Sequence, residues 1–119
     1  VVPFVGPSSI LLALMASGLN GQNFAFTGYL PIDKSERTKI IKQLEELVKK
    51  TGQTQIFMET PYRNNQLIET LLKTCSNNTK LCTASDITLP TENIKTKTIA
   101  EWKQTKINLD KKPTIFLIG

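Results

Sequence analysis

The chain has 119 residues, enough for one compact domain with a hydrophobic core and too few for two ordinary ones. Its net charge is +5 with two cysteines and no histidine, which removes the commonest general base and leaves no thiol and imidazole set to complete a metal shell. The charge is uneven: residues 1–32 carry none, whereas residues 95–112 hold six lysines against two acids.

Val1 to Val5 is β-branched and aromatic and reads as a strand, beginning inside an apolar run without a methionine, as a piece of a longer protein would. Gly6-Pro7 stops it. Ser8 and Ser9 then offer capping oxygens to a helix from about Ile10 to Ser17, ended by Gly18. The seven apolar residues Ile10 to Ala16 follow prolines at 3 and 7 with no basic residue ahead, unlike a signal peptide, and are far too few to cross a bilayer. No membrane partner is expected. A helix apolar all round calls for cover on most sides.

Phe24 to Tyr29 reads as a short aromatic strand, followed by Leu30-Pro31 and a helix opening near Asp33. Ile40, Ile41, Leu44, Leu47 and Val48 recur on one face of that helix, which Gly52 closes. Thr54 to Met58 is the next strand, Glu59 to Arg63 a loop, and Leu67, Ile68, Leu71, Leu72 and Cys75 the inner face of another helix. Lys80 to Ser85 is a strand, Asp86 to Pro90 a loop, and Glu92 to Thr98 a half-exposed strand. Ile99 to Lys103 forms one or two helical turns, and Thr114 to Gly119 is an apolar closing strand. This alternation predicts a layered α/β domain with a mixed sheet of about five strands and flanking helices.

Three features bear on chemistry. Glu59-Thr60-Pro61-Tyr62-Arg63 places an acid, an aromatic and a cation behind a strand in a loop stiffened by proline, which suits either a ligand lip or a local Glu59–Arg63 ion pair. Gly6-Pro7-Ser8-Ser9 could turn amides towards an anion, but it lacks the spacing of a phosphate loop and reads better as helix capping. Lys95, Lys97, Lys103, Lys106, Lys111 and Lys112 could follow nucleic-acid phosphates or form a solvated surface. Cys75 and Cys82 read as buried or half-buried thiols of a cytoplasmic protein, with a disulfide between them left open. Asn77-Asn78-Thr79 matches a glycosylation sequon of the kind that recurs by chance.

Four segments occur in order: Val2-Pro3-Phe4-Val5-Gly6-Pro7-Ser8-Ser9; Ser17-Gly18-Leu19 leading to Phe24-Ala25-Phe26-Thr27-Gly28-Tyr29-Leu30-Pro31; Phe57-Met58-Glu59-Thr60-Pro61-Tyr62-Arg63; and the closing strand into Gly119. Together they resemble the C-terminal domain of the tetrapyrrole methylase superfamily, and within it the small-subunit ribosomal RNA ribose 2′-O-methyltransferases. Tyr62 stands where that family's proline segment carries histidine. Leu89 stands where a later segment carries lysine.

The resemblance implies the C-terminal half of an S-adenosylmethionine-dependent methyltransferase. Its cofactor would lie in a cleft with an N-terminal domain absent here, so this half alone should be inactive. Residues 1–5 would be the connecting strand and residues 6–119 the C-terminal domain, the uncharged first 32 residues would meet the missing domain, and the whole enzyme could be a homodimer. By the same resemblance Met58, Glu59, Ala84, Ser85, Ile118 and Gly119 would contact the cofactor, with Tyr62 and Arg63 facing ribosomal RNA. An arginine suits a phosphate and a tyrosine can stack on a base. Glu59 is the only carboxylate in a motif loop that could take the ribose proton, yet no catalytic base is assigned, because the missing half could equally supply one. Two rival readings are a methylase of a tetrapyrrole precursor and a non-catalytic basic nucleic-acid-binding module.

Overall fold

Proline at the start of a helix loses no hydrogen bond, because the first N–H groups have no partner within the helix. Accordingly helix α1 (Pro7–Ser17) begins at Pro7, three residues earlier than expected, so Ser8 and Ser9 lie in its first turn and not ahead of it. It ends at Gly18, whose φ of +73° is the left-handed geometry of a helix stop. These features belong to a computed structural model that describes residues 7–19, 21–86, 90, 92–105, 108–109 and 112–119. The expected strand Val1–Val5, Gly6, residues 87–89, Thr91, Lys106 and Lys111 lie outside the described residues.

Strand β1 (Phe24–Tyr29) precedes helix α2 (Lys34–Thr51). Asp33 caps α2, its carboxylate accepting from the amides of Ser35 at 2.8 Å and Glu36 at 3.2 Å. These bonds, the one from Glu36 foremost, hold the Asp33 carboxyl below its ordinary pKa. Gly52, at φ +72°, closes the helix.

Strand β2 (Thr54–Met58) leads through a single 3₁₀ turn at Pro61–Arg63 into helix α3 (Asn64–Thr74). Strands β3 (Lys80–Ser85) and β4 (Asn93–Thr98) follow. Helix α4 (Ile99–Lys103) starts with a reciprocal Thr98–Glu101 capping box, and strand β5 (Thr114–Ile118) closes the chain.

The five strands form one mixed sheet in the order β1-β2-β5-β3-β4, with β1 parallel to β2 and the remaining pairs antiparallel. The last strand is therefore central. Every residue of Thr114–Ile118 is buried, which explains why it reads as an unbroken apolar run without alternation.

Two cores flank the sheet. On one face α2, α3 and α4 cover Phe57, Leu81, Phe116 and Ile118, with Trp102 inserted beneath α4 and donating from its indole Nε1 to the carbonyl of Leu81 at 2.7 Å. On the other face α1 lays Ala13 and Leu14 against Ile56, Cys82, Ala84, Ile115 and Leu117. Cys75 belongs to the first core and Cys82 to the second, and both are free thiols, so the disulfide that the sequence left open is not formed. No helix among the described residues is long and apolar enough to cross a membrane.

Candidate functional site

Because β1, β2 and β3 run the same way, their C-terminal ends meet along one border of the sheet. The pairing register makes this concrete. Tyr29 of β1 stands beside Met58 of β2, and Ile115 of β5 lies opposite both Met58 and Ala84 of β3, so Met58 and Ala84 share one row across the sheet. Ser85 occupies the next row, opposite Thr114.

Of the six residues expected at a cofactor, four are thus brought together: Met58, Glu59, Ala84 and Ser85. Ile118 and Gly119 are not. Ile118 pairs with Gln55 and Leu81, three residues back along the strands or roughly 10 Å, and Gly119 exchanges backbone hydrogen bonds with Lys80 at the opposite border. Antiparallel pairing reverses β5, so its last residue lies at the far end and its first, Thr114, at the site.

A bulge in β1 shapes the same border. Registration with β2 jumps between Phe26 and Gly28, leaving Thr27 without a partner, and Gly28 takes φ +83°, which a side chain would strain. The extra residue turns Leu30 into the helix-covered core, while Tyr29 remains 63% exposed.

The loop after β2 is ordered by a chain of polar contacts. Glu59 follows Met58 and so points to the opposite face, beneath α2, where it is buried. Its Oε1 accepts the Thr60 amide at 2.8 Å and the Thr60 hydroxyl at 3.3 Å, while its Oε2 lies 4.0 Å from Nη1 of Arg37 on α2. The same hydroxyl accepts from Nη1 of Arg63 at 3.3 Å, and the Arg63 amide donates to the Thr60 carbonyl at 2.8 Å. Arg63 also lies over the Tyr62 ring, 4.8 Å from its centre, and Tyr62 is exposed. Glu59 therefore pairs with Arg37 and not with Arg63. Turned inward and engaged, its carboxylate is not presented to the lip formed by Tyr62 and Arg63.

Asn64 anchors the other side of the loop. Fully buried, it donates from Nδ2 to the carbonyls of Leu109 at 3.1 Å and Lys112 at 2.6 Å and to the hydroxyl of Thr114 at 3.2 Å, tying α3 to the start of β5. Asp86, just beyond β3, is buried at φ +52° and donates its amide to the carbonyl of Pro113 at 3.0 Å. Aspartate tolerates this left-handed geometry better than most residues.

The sequence reading missed Arg37, Glu45 and Asn64. For the first two a signal was present: Arg37, Ile40, Ile41, Leu44, Glu45 and Val48 fall on one helical stripe, so two charges stood among apolar neighbours.

The lysine cluster is partly committed to the fold. Lys97 lies over Trp102, 5.2 Å from the ring centre, and bonds Thr105 at 3.2 Å, while Lys103 donates to Asn77 at 2.8 Å. One cavity among the described residues lies between α2 and α3, and another at the far border beside Leu19, Lys80 and Thr96. Neither of these two is lined by Met58, Glu59, Tyr62 or Ala84. Among the described residues no cluster of His, Cys, Asp or Glu could hold a metal ion.

No family model matches the chain. Against solved structures its fold is that of tetrapyrrole-type methyltransferases. It superposes on the methyltransferase CobJ with a TM-score of 0.57 and 17% identity, covering 92% of this chain and 46% of that one. On uroporphyrin-III-C-methyltransferase from Thermus thermophilus the TM-score is 0.54 at 17% identity, over 93% and 47% of the two chains.

In sequence the chain is related to ribosomal RNA small subunit methyltransferase I. It is 32% identical to the protein of that name from Buchnera aphidicola subsp. Schizaphis graminum, over 99% of this chain and 41% of the relative. For Vibrio cholerae the figures are 31%, 85% and 34%, and for Mesorhizobium japonicum 34%, 83% and 32%. The chain spans less than half the length of each of these relatives. The resemblance carried by its four motifs thus agrees both with the fold and with sequence comparison along almost the whole chain.

Proposed function

We propose that this chain acts as the C-terminal half of an S-adenosylmethionine-dependent methyltransferase that modifies a ribose 2′-hydroxyl of small-subunit ribosomal RNA. The observation that carries this reading is the relation to ribosomal RNA small subunit methyltransferase I over 99% of the chain. The common border of the β1, β2 and β3 ends supports it, since a cleft shared with another domain has one wall in each.

On this reading Met58, Glu59, Ala84 and Ser85 form the cofactor wall. Met58 and Ala84 stand in one row but are buried within the fold, so the backbone at the ends of β2 and β3 carries the contact to the adenosine group. Bound S-adenosylmethionine supplies an electrophilic methyl group on sulfur. Tyr62 and Arg63 hold the acceptor, the arginine on a phosphate and the tyrosine against a base. Catalysis then rests on alignment, with the Glu59 carboxylate occupied by Arg37 and Thr60. The whole enzyme works in the cytoplasm, consistent with two free, buried cysteines, and pairs as a homodimer through apolar surface of the kind that β1 exposes. The likeness to CobJ, at 17% identity, speaks for the fold and not for a tetrapyrrole acceptor.

The test is methyl transfer to small ribosomal subunits by the longer protein that contains this chain, with the position of the methyl group read by mass spectrometry. Arg63→Ala should lower kcat/KM for the RNA roughly tenfold and leave the cofactor Kd unchanged. Equal losses of both would sink the assignment of Arg63 to the acceptor side.

A further inference from the structure

We infer that Arg37 is a positioning residue for the Tyr62–Arg63 lip, acting through Glu59 and Thr60. The argument begins with what the pair costs. Arg37 and Glu59 are both almost fully buried, at 4% and 5% exposure, and their charged atoms approach only to 4.0 Å. Among the described residues Arg37 Nε and Glu59 Oε2 have no hydrogen-bond partner, and the guanidinium bonds one neutral group, the Thr70 hydroxyl at 3.1 Å from Nη2.

A buried ion pair with loose geometry and unsatisfied atoms is a poor stabiliser, and apolar residues of similar volume would hold α2 to the sheet at least as well. Its value therefore lies in what the charge on Glu59 orders. That carboxylate fixes the amide and hydroxyl of Thr60, and Thr60 in turn fixes both the backbone and the guanidinium of Arg63. Without a cation beside it, a buried carboxylate is driven to swing out to water, and that change releases Thr60. Arg37 keeps Glu59 turned inward, so α2 sets where Arg63 stands.

The functional meaning rests on the proposal that Arg63 contacts the acceptor, but the coupling itself can be read without any activity. Backbone amide exchange of the chain is compared for wild type, Arg37→Met and Arg37→Lys. In Arg37→Met the amides of Thr60 and Arg63 should exchange about tenfold faster, while those of Ile56 and Phe57 in β2 keep their wild-type rates. Arg37→Lys should recover part of the protection, because it restores the charge without the fork. Wild-type exchange at Thr60 and Arg63, or equal acceleration at all four amides, overturns the inference.

If Arg37→Met does not fold, Glu59→Gln serves instead. It removes the charge that Arg37 faces while keeping an acceptor for Thr60, and should accelerate the same two amides selectively but by less. In the longer enzyme, Arg37→Met should raise KM for the RNA several-fold with cofactor affinity retained, whereas an unchanged KM would remove Arg37 from control of the acceptor side. An enzyme that methylates no ribosomal RNA would overturn the proposed function, and the exchange rates would still decide the role of Arg37.

Discussion

The two faces of the sheet are finished differently. Under α2, α3 and α4 the face is closed: Phe57 and Phe116 stack with ring centres 6.0 Å apart, Trp102 is 1% exposed, and of the polar groups drawn inside, Glu45 bonds the turn before β3 while Asn64 and Arg37 each keep an unpaired atom among the described residues. On the opposite face α1 packs against β5 and β4 and leaves the β1 side open. Phe24, Phe26 and Tyr29 are in register with Thr54, Ile56 and Met58 and so share this open face, where all three remain exposed. Leu12 and Met15 of α1 are exposed as well. Among the described residues one face is closed by helices, and the other leaves a group of large apolar side chains exposed.

That contrast can be broken most directly at Trp102. Trp102→Ala removes the largest buried side chain and its bond to Leu81, and should cost about 3–5 kcal/mol in urea unfolding. A loss below roughly 1 kcal/mol would mean that the covered face is looser than its packing implies. Glu45 comes next. Its Oε2 accepts the Ser76 amide and the Thr79 hydroxyl, each at 2.7 Å, which ties α2 to the turn before β3. Glu45→Ala should cost about 1–3 kcal/mol by stranding these donors, and Glu45→Gln clearly less because it keeps an acceptor. Equal losses for the two would show that volume and not hydrogen bonding holds that turn.

Cys75 tests the covered face by titration. Burial, with Glu45 adding to it, pushes the thiol from 9.0 up to about 12. The folded state therefore holds its proton more tightly than the unfolded chain does. This contribution to stability is complete below about pH 9 and is lost as pH rises through about 12. At pH 8 a disulfide reagent should modify Cys75 only after unfolding, and Cys75→Ala should flatten the alkaline decline in stability. Rapid labelling of the native chain would mean that α3 opens readily.

How much of this was legible in the sequence depended on how locally each feature is caused. Thr54–Met58, Phe24–Tyr29 and Lys80–Ser85 were readable to the residue, because propensity and flanking turns agree there. Pairing across the sheet was not: nothing local to Thr114–Ile118 says that it runs antiparallel at the centre, and so Ile118 and Gly119 were grouped with strand ends that they do not reach. The same limit applies to Glu59. Four residues of separation suggested Arg63 as its partner, whereas strand alternation turns the carboxylate under α2, towards an arginine twenty-two positions earlier in the chain.

The smallest expected effect is the most discriminating for the open face. Phe26 lies on an edge strand and is 46% exposed, so Phe26→Thr removes an aromatic ring and puts in its place a β-branched residue equally suited to a strand. Within this chain it should change stability by no more than about 0.5 kcal/mol, against the several expected at Trp102. Together with Phe24 and Tyr29 it forms an exposed aromatic group of the kind that another surface can cover. In the longer protein that the proposed function implies, the same substitution should therefore cost more than it does here, measured as the difference in unfolding midpoint between the two proteins. Equal, negligible costs in both would show that Phe26 stays bare in the assembled protein, and would move the expected contact along α1 towards Leu12 and Met15.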